Sequence, residues 1–210
     1  MGIDSISGSD SVEAVFLADG TVVPASAVVV GVGVTPRVGL AVAAGLEVDN
    51  GIVTNAQLVT SAPHVYAAGD VASAWHPFYG TRIRLEHWSS ALNQGPVAAK
   101  NMLGITSPYD KVPYFFSDQY ELGMEYRGWA PDYDTVVFRG DPATFEFVAL
   151  WVRDGVVAAA MNANVWDQGE GIEALLAARR PVDLEAVADP DTDPASLAAR
   201  AGDAEAADRP

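Results

Sequence analysis

Asp154-Gly155 stands between two strand-like runs, Thr144 to Val152 and Val156 to Met161. An Asp-Gly pair flanked this way specifies a tight antiparallel hairpin, because both turn positions need a positive φ. The surrounding residues extend the pattern: Leu122, Met124 and Tyr126 alternate, and Thr135 to Arg139 reads as another strand. Residues 113–161 therefore predict a small antiparallel sheet, with a helix expected at about 168–179.

The chain ahead of this sheet has a different texture, and the change falls near 105–112. Val12–Leu17 reads as a strand, Asp19-Gly20 as a turn, and Val22-Val23 as the return. Ala27–Val32 (AVVVGV) is continuously apolar, the pattern of a strand covered on both faces, and Pro36 stops any ladder. Residues 38–45 read as a short helix closed by Gly45, and Gly51–Thr54 and Val65–Ala68 as short strands. Ser89–Leu103 is the strongest helix signal. Ser89 or Ser90 is its expected cap, and Ala91, Leu92, Val97, Ala98, Met102 and Leu103 fall largely on one side. Pro96 inside it predicts a kink or a split. From Asp189 onward the sequence is acidic and Ala-rich, with Leu197 its one large apolar side chain, which reads as a disordered tail.

Half of the 210 residues are hydrophobic, enough to build a core. The net charge of −16 argues against general nucleic-acid binding. There is no cysteine, which excludes disulfides, thiolate-held zinc or iron–sulfur clusters, and any thiol redox centre in these residues. No 18-residue apolar run predicts a membrane span, and MGIDSISGSD lacks the charged-then-apolar layout of a signal peptide. A cytoplasmic protein is the expectation.

Two features raise a question of chemistry. HVYAAGDVA (64–72) is a run of small apolar residues ending abruptly at Gly69-Asp70. Asp70 either caps a helix that follows or accepts hydrogen bonds from a ligand, and the residues alone leave both open. Gly31-Val32-Gly33 carries two glycines, which suits a strand ending beside a crossing backbone. It is not a pyrophosphate loop, since no G-x-G-x-x-G occurs and Val34-Thr35-Pro36 follows. His64, His76 and His87 have no metal-ligand spacing, and DPDTDP (189–194) lacks the glycine and terminal glutamate of a calcium loop.

Four stretches together resemble the C-terminal part of flavin-dependent ferredoxin and rubredoxin reductases of the pyridine nucleotide-disulfide oxidoreductase superfamily. They are VVVGVGVTP (28–36), AGLEVDNGIVTNAQLVTSAPHVYAAGDVA (44–72), RLEHWSSALNQGPVAAKNMLG (84–104) and PYFFSDQYELGMEYRG (113–128). The fold this implies is α/β plus α+β: the C-terminal remnant of a flavoprotein with two dinucleotide-binding domains, then a small antiparallel-sheet domain with a helix. Residues 1–36 would end the NAD-binding domain and 37–106 would be the C-terminal part of the FAD-binding domain. Residues 107–188 would form the reductase C-terminal α+β domain, and 189–210 the tail.

The resemblance implies FAD and NAD(P)H as cofactors, with Asp70 on the ribityl chain, Gly69 letting backbone approach, and a following helix N-terminus aimed at the flavin. Trp88 would pass the isoalloxazine, Glu86 would lie near the nicotinamide, and Val32 and Gly33 would approach the nicotinamide nucleotide. Phe116 stands where many relatives carry Trp, so it keeps an apolar face and loses an N–H donor. Read without the resemblance, Trp88 is a core aromatic and Glu86 a solvated charge. Hydride transfer to flavin requires no protein acid or base, so no catalytic residue is expected, and no metal. The implied partner is a ferredoxin or other iron–sulfur acceptor of an oxygenase system, with a homodimer or a complementing N-terminal chain as further expectations. The rival readings are an assembly module without flavin and one half of a split reductase.

Overall fold

The computed structural model describes residues 2–200, and its chain divides into two compact units, Met1–Thr35 and Pro36 onward. In the first unit, β1 (Ile3–Ser7), β2 (Ala14–Leu17) and β3 (Val22–Pro24) form an antiparallel sheet in that order. Asp19-Gly20 makes the β2–β3 turn: the Asp19 carboxylate accepts from Thr21 N at 2.9 Å and Gly20 takes φ +86°. The strand expected at Ala27–Val32 does not form. No strand among the described residues pairs with it, and Val29 and Val32 are 98% and 89% exposed. An apolar run can supply the side chains for a buried strand, but a ladder also needs a partner backbone.

In the second unit, α1 (Gly39–Ala43) ends before Gly45, whose φ of +70° closes it as expected. β4 (Ile52–Thr54), β5 (Ala72–His76) and β6 (Thr81–Ile83) form a small sheet with β4 parallel and β6 antiparallel to β5. The strand expected at Val65–Ala68 is reduced to a single bridge between Tyr66 and Val59. The pairing falls instead to Ala72–His76, after Asp70.

α2 (Trp88–Met102) runs unbroken through Pro96, so of the expected kink or split the split is absent. Its cap is His87, whose Nδ1 accepts from Ser89 N at 3.3 Å, rather than either serine. Its buried face matches the expected apolar side only at Val97 and Ala98. Ser89, Ser90, Gln94 and Ala98 are buried, while Leu92, Met102 and Leu103 are 53%, 61% and 79% exposed. Small polar side chains let the helix sit close on the loops beneath it, with Tyr109 packed in the same cluster as Ala98.

The predicted antiparallel sheet is present as β7 (Tyr114–Gln119), β8 (Leu122–Gly128), β9 (Thr135–Asp141), β10 (Glu146–Arg153) and β11 (Val156–Ala163), in the order β7-β8-β11-β10-β9. Asp154 (φ +50°) and Gly155 (φ +75°) make the β10–β11 turn as the sequence required. Val148, Leu150 and Val152 point alternately from β10 into a core shared with Ile172, Leu175 and Leu176 of α3 (Gly169–Ala178).

The tail expected from Asp189 is ordered up to residue 200. After α4 (Leu184–Ala188), α5 (Pro194–Arg200) carries Leu197 into that same core. The acidic residues that suggested disorder are turn and helix-start acceptors: Asp189 takes Asp191 N and Asp193 takes Ala195 N, each at 3.0 Å. Arg139, 5% exposed on β9, donates to the carbonyls of Val187, Pro190 and Thr192 and fixes the segment against the sheet. Residues 201–210 of the expected tail lie outside the described residues.

A candidate flavin-facing site at the start of α2

Asp70 lies in the loop that enters β5, and because a strand follows it, the helix-capping alternative is removed. The helix packed against this loop is α2, whose first residue, Trp88, comes eighteen residues after Asp70 in sequence. Gly69 N donates to Gln94 Oε1 at 2.8 Å, a buried bond. A methyl group built on Gly69 would stand 3.4 Å from Ala91 Cβ, so this backbone runs against the early turns of α2. Gly69 also takes φ +79°, which favours glycine. The Asp70 side chain is exposed and makes no hydrogen bond to any described residue.

Arg84 ties the loop to the chain entering α2. One of its nitrogens donates to the Asp70 carbonyl at 3.1 Å, and another pairs with Glu86 at 2.7 Å, with the two side chains 12% and 33% exposed. Its Cδ would meet a methyl group on Gly51 at 2.8 Å, so Gly51 opens the path for the arginine. Glu86 is therefore a paired carboxylate rather than a solvated one.

His87 carries the arrangement to the β-sheet domain. Its ring lies 5.6 Å from Phe116, edge to face, and 5.8 Å from Phe115. Trp88, the first residue of α2, is 65% exposed and Phe116 is 45% exposed, so neither is the core aromatic that Trp88 alone suggested. Asp70, Gly69, Glu86, Trp88 and Phe116 thus gather around one end of α2. Val32 and Gly33 belong to the first unit, where Val32 is almost fully exposed and Gly33 takes φ +99°.

The linking roles of Arg84, His87 and Gln94 were not read from the sequence. A signal for Gln94 was present: Ser90, Gln94 and Ala98 recur every four residues, a small or polar stripe along one side of α2. Among the described residues, no cluster of three or more His, Asp or Glu side chains is placed to hold a metal ion, and no helix is long and apolar enough to cross a membrane.

Residues 2–95 match the family described as Pyridine nucleotide-disulphide oxidoreductase, and residues 114–198 match the family described as Reductase C-terminal. The chain is 38% identical over 205 residues to the 5,5'-dehydrodivanillate O-demethylase ferredoxin reductase subunit of Sphingobium sp., covering 96% of this chain and 50% of that protein. It is 32% identical to putidaredoxin reductase of Pseudomonas putida, covering 90% of this chain and 44% of that one. Among solved structures, the covalent putidaredoxin reductase–putidaredoxin complex superposes with a TM-score of 0.86 at 33% identity, over 95% of this chain and 49% of the reductase. The chain spans about half the length of the curated relatives it matches.

Proposed function

Since the chain belongs to the pyridine nucleotide-disulphide oxidoreductase family and carries that family's reductase C-terminal domain, we propose that it is the C-terminal part of an FAD-dependent reductase that passes electrons from NAD(P)H to a ferredoxin-type iron–sulfur protein of an oxygenase system. The carrying observation is the Gly69-Asp70 loop. It is clamped to α2 by Gln94 and by Arg84, yet its one carboxylate is exposed and free of any described protein partner. The residues present suit one end of a flavin. Bound FAD would accept a hydride from NAD(P)H and release electrons one at a time.

The chain's own residues would bind and shield. The Asp70 carboxylate accepts from ribityl hydroxyls, and Gly69 keeps that approach free of a side chain. Trp88 and Phe116 cover the ring system with apolar surface and exclude water from it. The Arg84–Glu86 pair holds Glu86 at the nicotinamide side. Val32 and Gly33 are proposed to meet the nicotinamide nucleotide. Residues 1–36, 37–106 and 107–188 are proposed as the end of the NAD domain, the end of the FAD domain and the reductase domain. The proposed compartment is the cytoplasm, where the NAD(P)H pool lies.

A flavin site also needs a glycine-rich turn under the pyrophosphate, and none of these 210 residues forms one. The chain alone is therefore expected to take up FAD weakly or not at all. The test is FAD titration, by absorbance and flavin fluorescence, of the chain alone and of the chain co-expressed with the N-terminal half of the Sphingobium relative. Flavin uptake on co-expression, lost in Asp70→Ala, is the expected result. A stoichiometric yellow protein with NADH–dye reductase activity from the chain alone overturns the fragment reading. A defined oligomer that takes no flavin under either condition overturns the flavin reading in favour of an assembly module.

A further inference from the structure

A second cleft, of about 680 Å³, opens between the β5–β6 turn and the reductase sheet domain. None of the flavin-site residues lines it. Its volume lies within the roughly 300–1,000 Å³ range of small-molecule sites. Phe78, Tyr79 and Trp129 form aromatic walls, Val157 and Leu176 are apolar lining, and Arg82, Arg153 and Arg179 bring three guanidinium groups to it. That is three of the twelve basic residues of a chain whose net charge is −16.

The three arginines are not equivalent. Arg153 is neutralised by Asp132 and lies 3.7 Å from Asp154, and among the described residues these two carboxylates are the only acidic groups lining the cleft. Arg179 stands at the C-terminal end of α3, with its guanidinium carbon 4.9 Å over the Phe78 ring and Nη1 donating to the Phe78 carbonyl. Arg82 donates Nη1 to the Thr54 carbonyl at 2.7 Å. Each of these two side chains is thus held by one nitrogen on a backbone carbonyl. Among the described residues, the remaining N–H groups of both make no hydrogen bond to protein. Among the described residues, neither forms a salt bridge.

We propose that this cleft is a binding site for an aromatic carboxylate, with the ring against Phe78 and Trp129 and the carboxylate on the free N–H groups of Arg82 and Arg179. A planar guanidinium presents paired donors that match a carboxylate, and the aromatic walls reward a flat ring over an aliphatic chain. The inference stands independently of the flavin reading. An occupant would touch the β5–β6 turn, the segment after β8, the β10–β11 hairpin and α3 together, so binding would hold these elements to one another.

The probe is 2-naphthoate, titrated into the full chain by calorimetry and by amide chemical shifts. 2-Naphthylmethanol supplies the ring without the charge, acetate the carboxylate without the ring, and inorganic phosphate a different anion. The expected result is 2-naphthoate binding with a Kd at or below about 1 mM, with shifts at Phe78, Trp129 and Val156 to Ala158. The neutral analogue and each small anion should bind at least about tenfold more weakly, one such factor being about 1.4 kcal/mol. Arg82→Gln and Arg179→Gln, both checked for a cooperative melt, should each weaken 2-naphthoate about tenfold, and Leu92→Ser should leave it unchanged. Equal binding of 2-naphthylmethanol, tighter binding of phosphate, shifts confined to the exposed face of α2, or no binding by 10 mM each overturns the assignment.

Discussion

At the residue scale, the site depends on side chains whose hydrogen-bonding groups point inward. Gln94 is the clearest case. Replacing it with alanine removes the acceptor for the buried Gly69 N–H and leaves that donor unsatisfied, so Gln94→Ala is expected to destabilise the fold by about 1–3 kcal/mol. Urea denaturation reads this directly, and an unchanged midpoint would remove Gln94 from the clamp. His76 sets a pH response. Its ring is 1% exposed, Nε2 donates to the Lys111 carbonyl at 3.0 Å, and Nδ1 has no hydrogen-bond partner. Burial lowers its pKa, with the Lys111 carbonyl and Asp110 opposing more weakly. As pH falls below the unfolded value of about 6.5, the unfolded chain takes the proton first, so the stability due to neutral His76 is present above that pH and lost below it. The urea midpoint should fall from pH 7 to pH 5, and by less in His76→Gln.

At the element scale, hydropathy located α2 but not its orientation. Leu92 and Met102 looked like the core side and are exposed, while Ser90 and Gln94 are buried. A hydropathy pattern assigns apolar faces inward, and it fails where a polar face is needed to grip a loop backbone. Leu92→Ser is therefore expected to leave the melting temperature of this chain nearly unchanged, within the roughly ±0.5 kcal/mol of a surface substitution. The β-sheet was legible because Asp154-Gly155 and alternating apolar residues act locally, through turn geometry and pleat. Asp70, Trp88 and Phe116 entered the candidate site only through their sequence motifs, and the contacts joining them through Arg84 and His87 are tertiary. The C-terminal segment was misread because its composition resembles that of disordered chains, whereas its aspartates serve as turn acceptors and Leu197 as a core residue. Leu197→Asp should destabilise the sheet domain by about 2–5 kcal/mol, seen as a lowered urea midpoint.

At the scale of the whole molecule, the two units differ in how much they bury. Residues 2–35 contain no fully buried side chain, and a three-stranded sheet without a covered face is marginal by itself. The second unit has the sheet–helix core around Leu150, Ile172 and Val187. Hydrogen exchange should find the β2 amides among the fastest and the β10–β11 amides among the slowest. Comparable protection in the two would show that the first unit is held by something outside itself. The Arg139 tie carries a consequence for how such a chain is made. Its carbonyl acceptors arrive up to 53 residues after it. During synthesis at about 5–20 residues per second, that is a delay of roughly 3 to 10 seconds. Through that interval the guanidinium can be buried only without its acceptors, so β9 and β10 can pair early while the domain closes only once the ribosome has delivered Thr192.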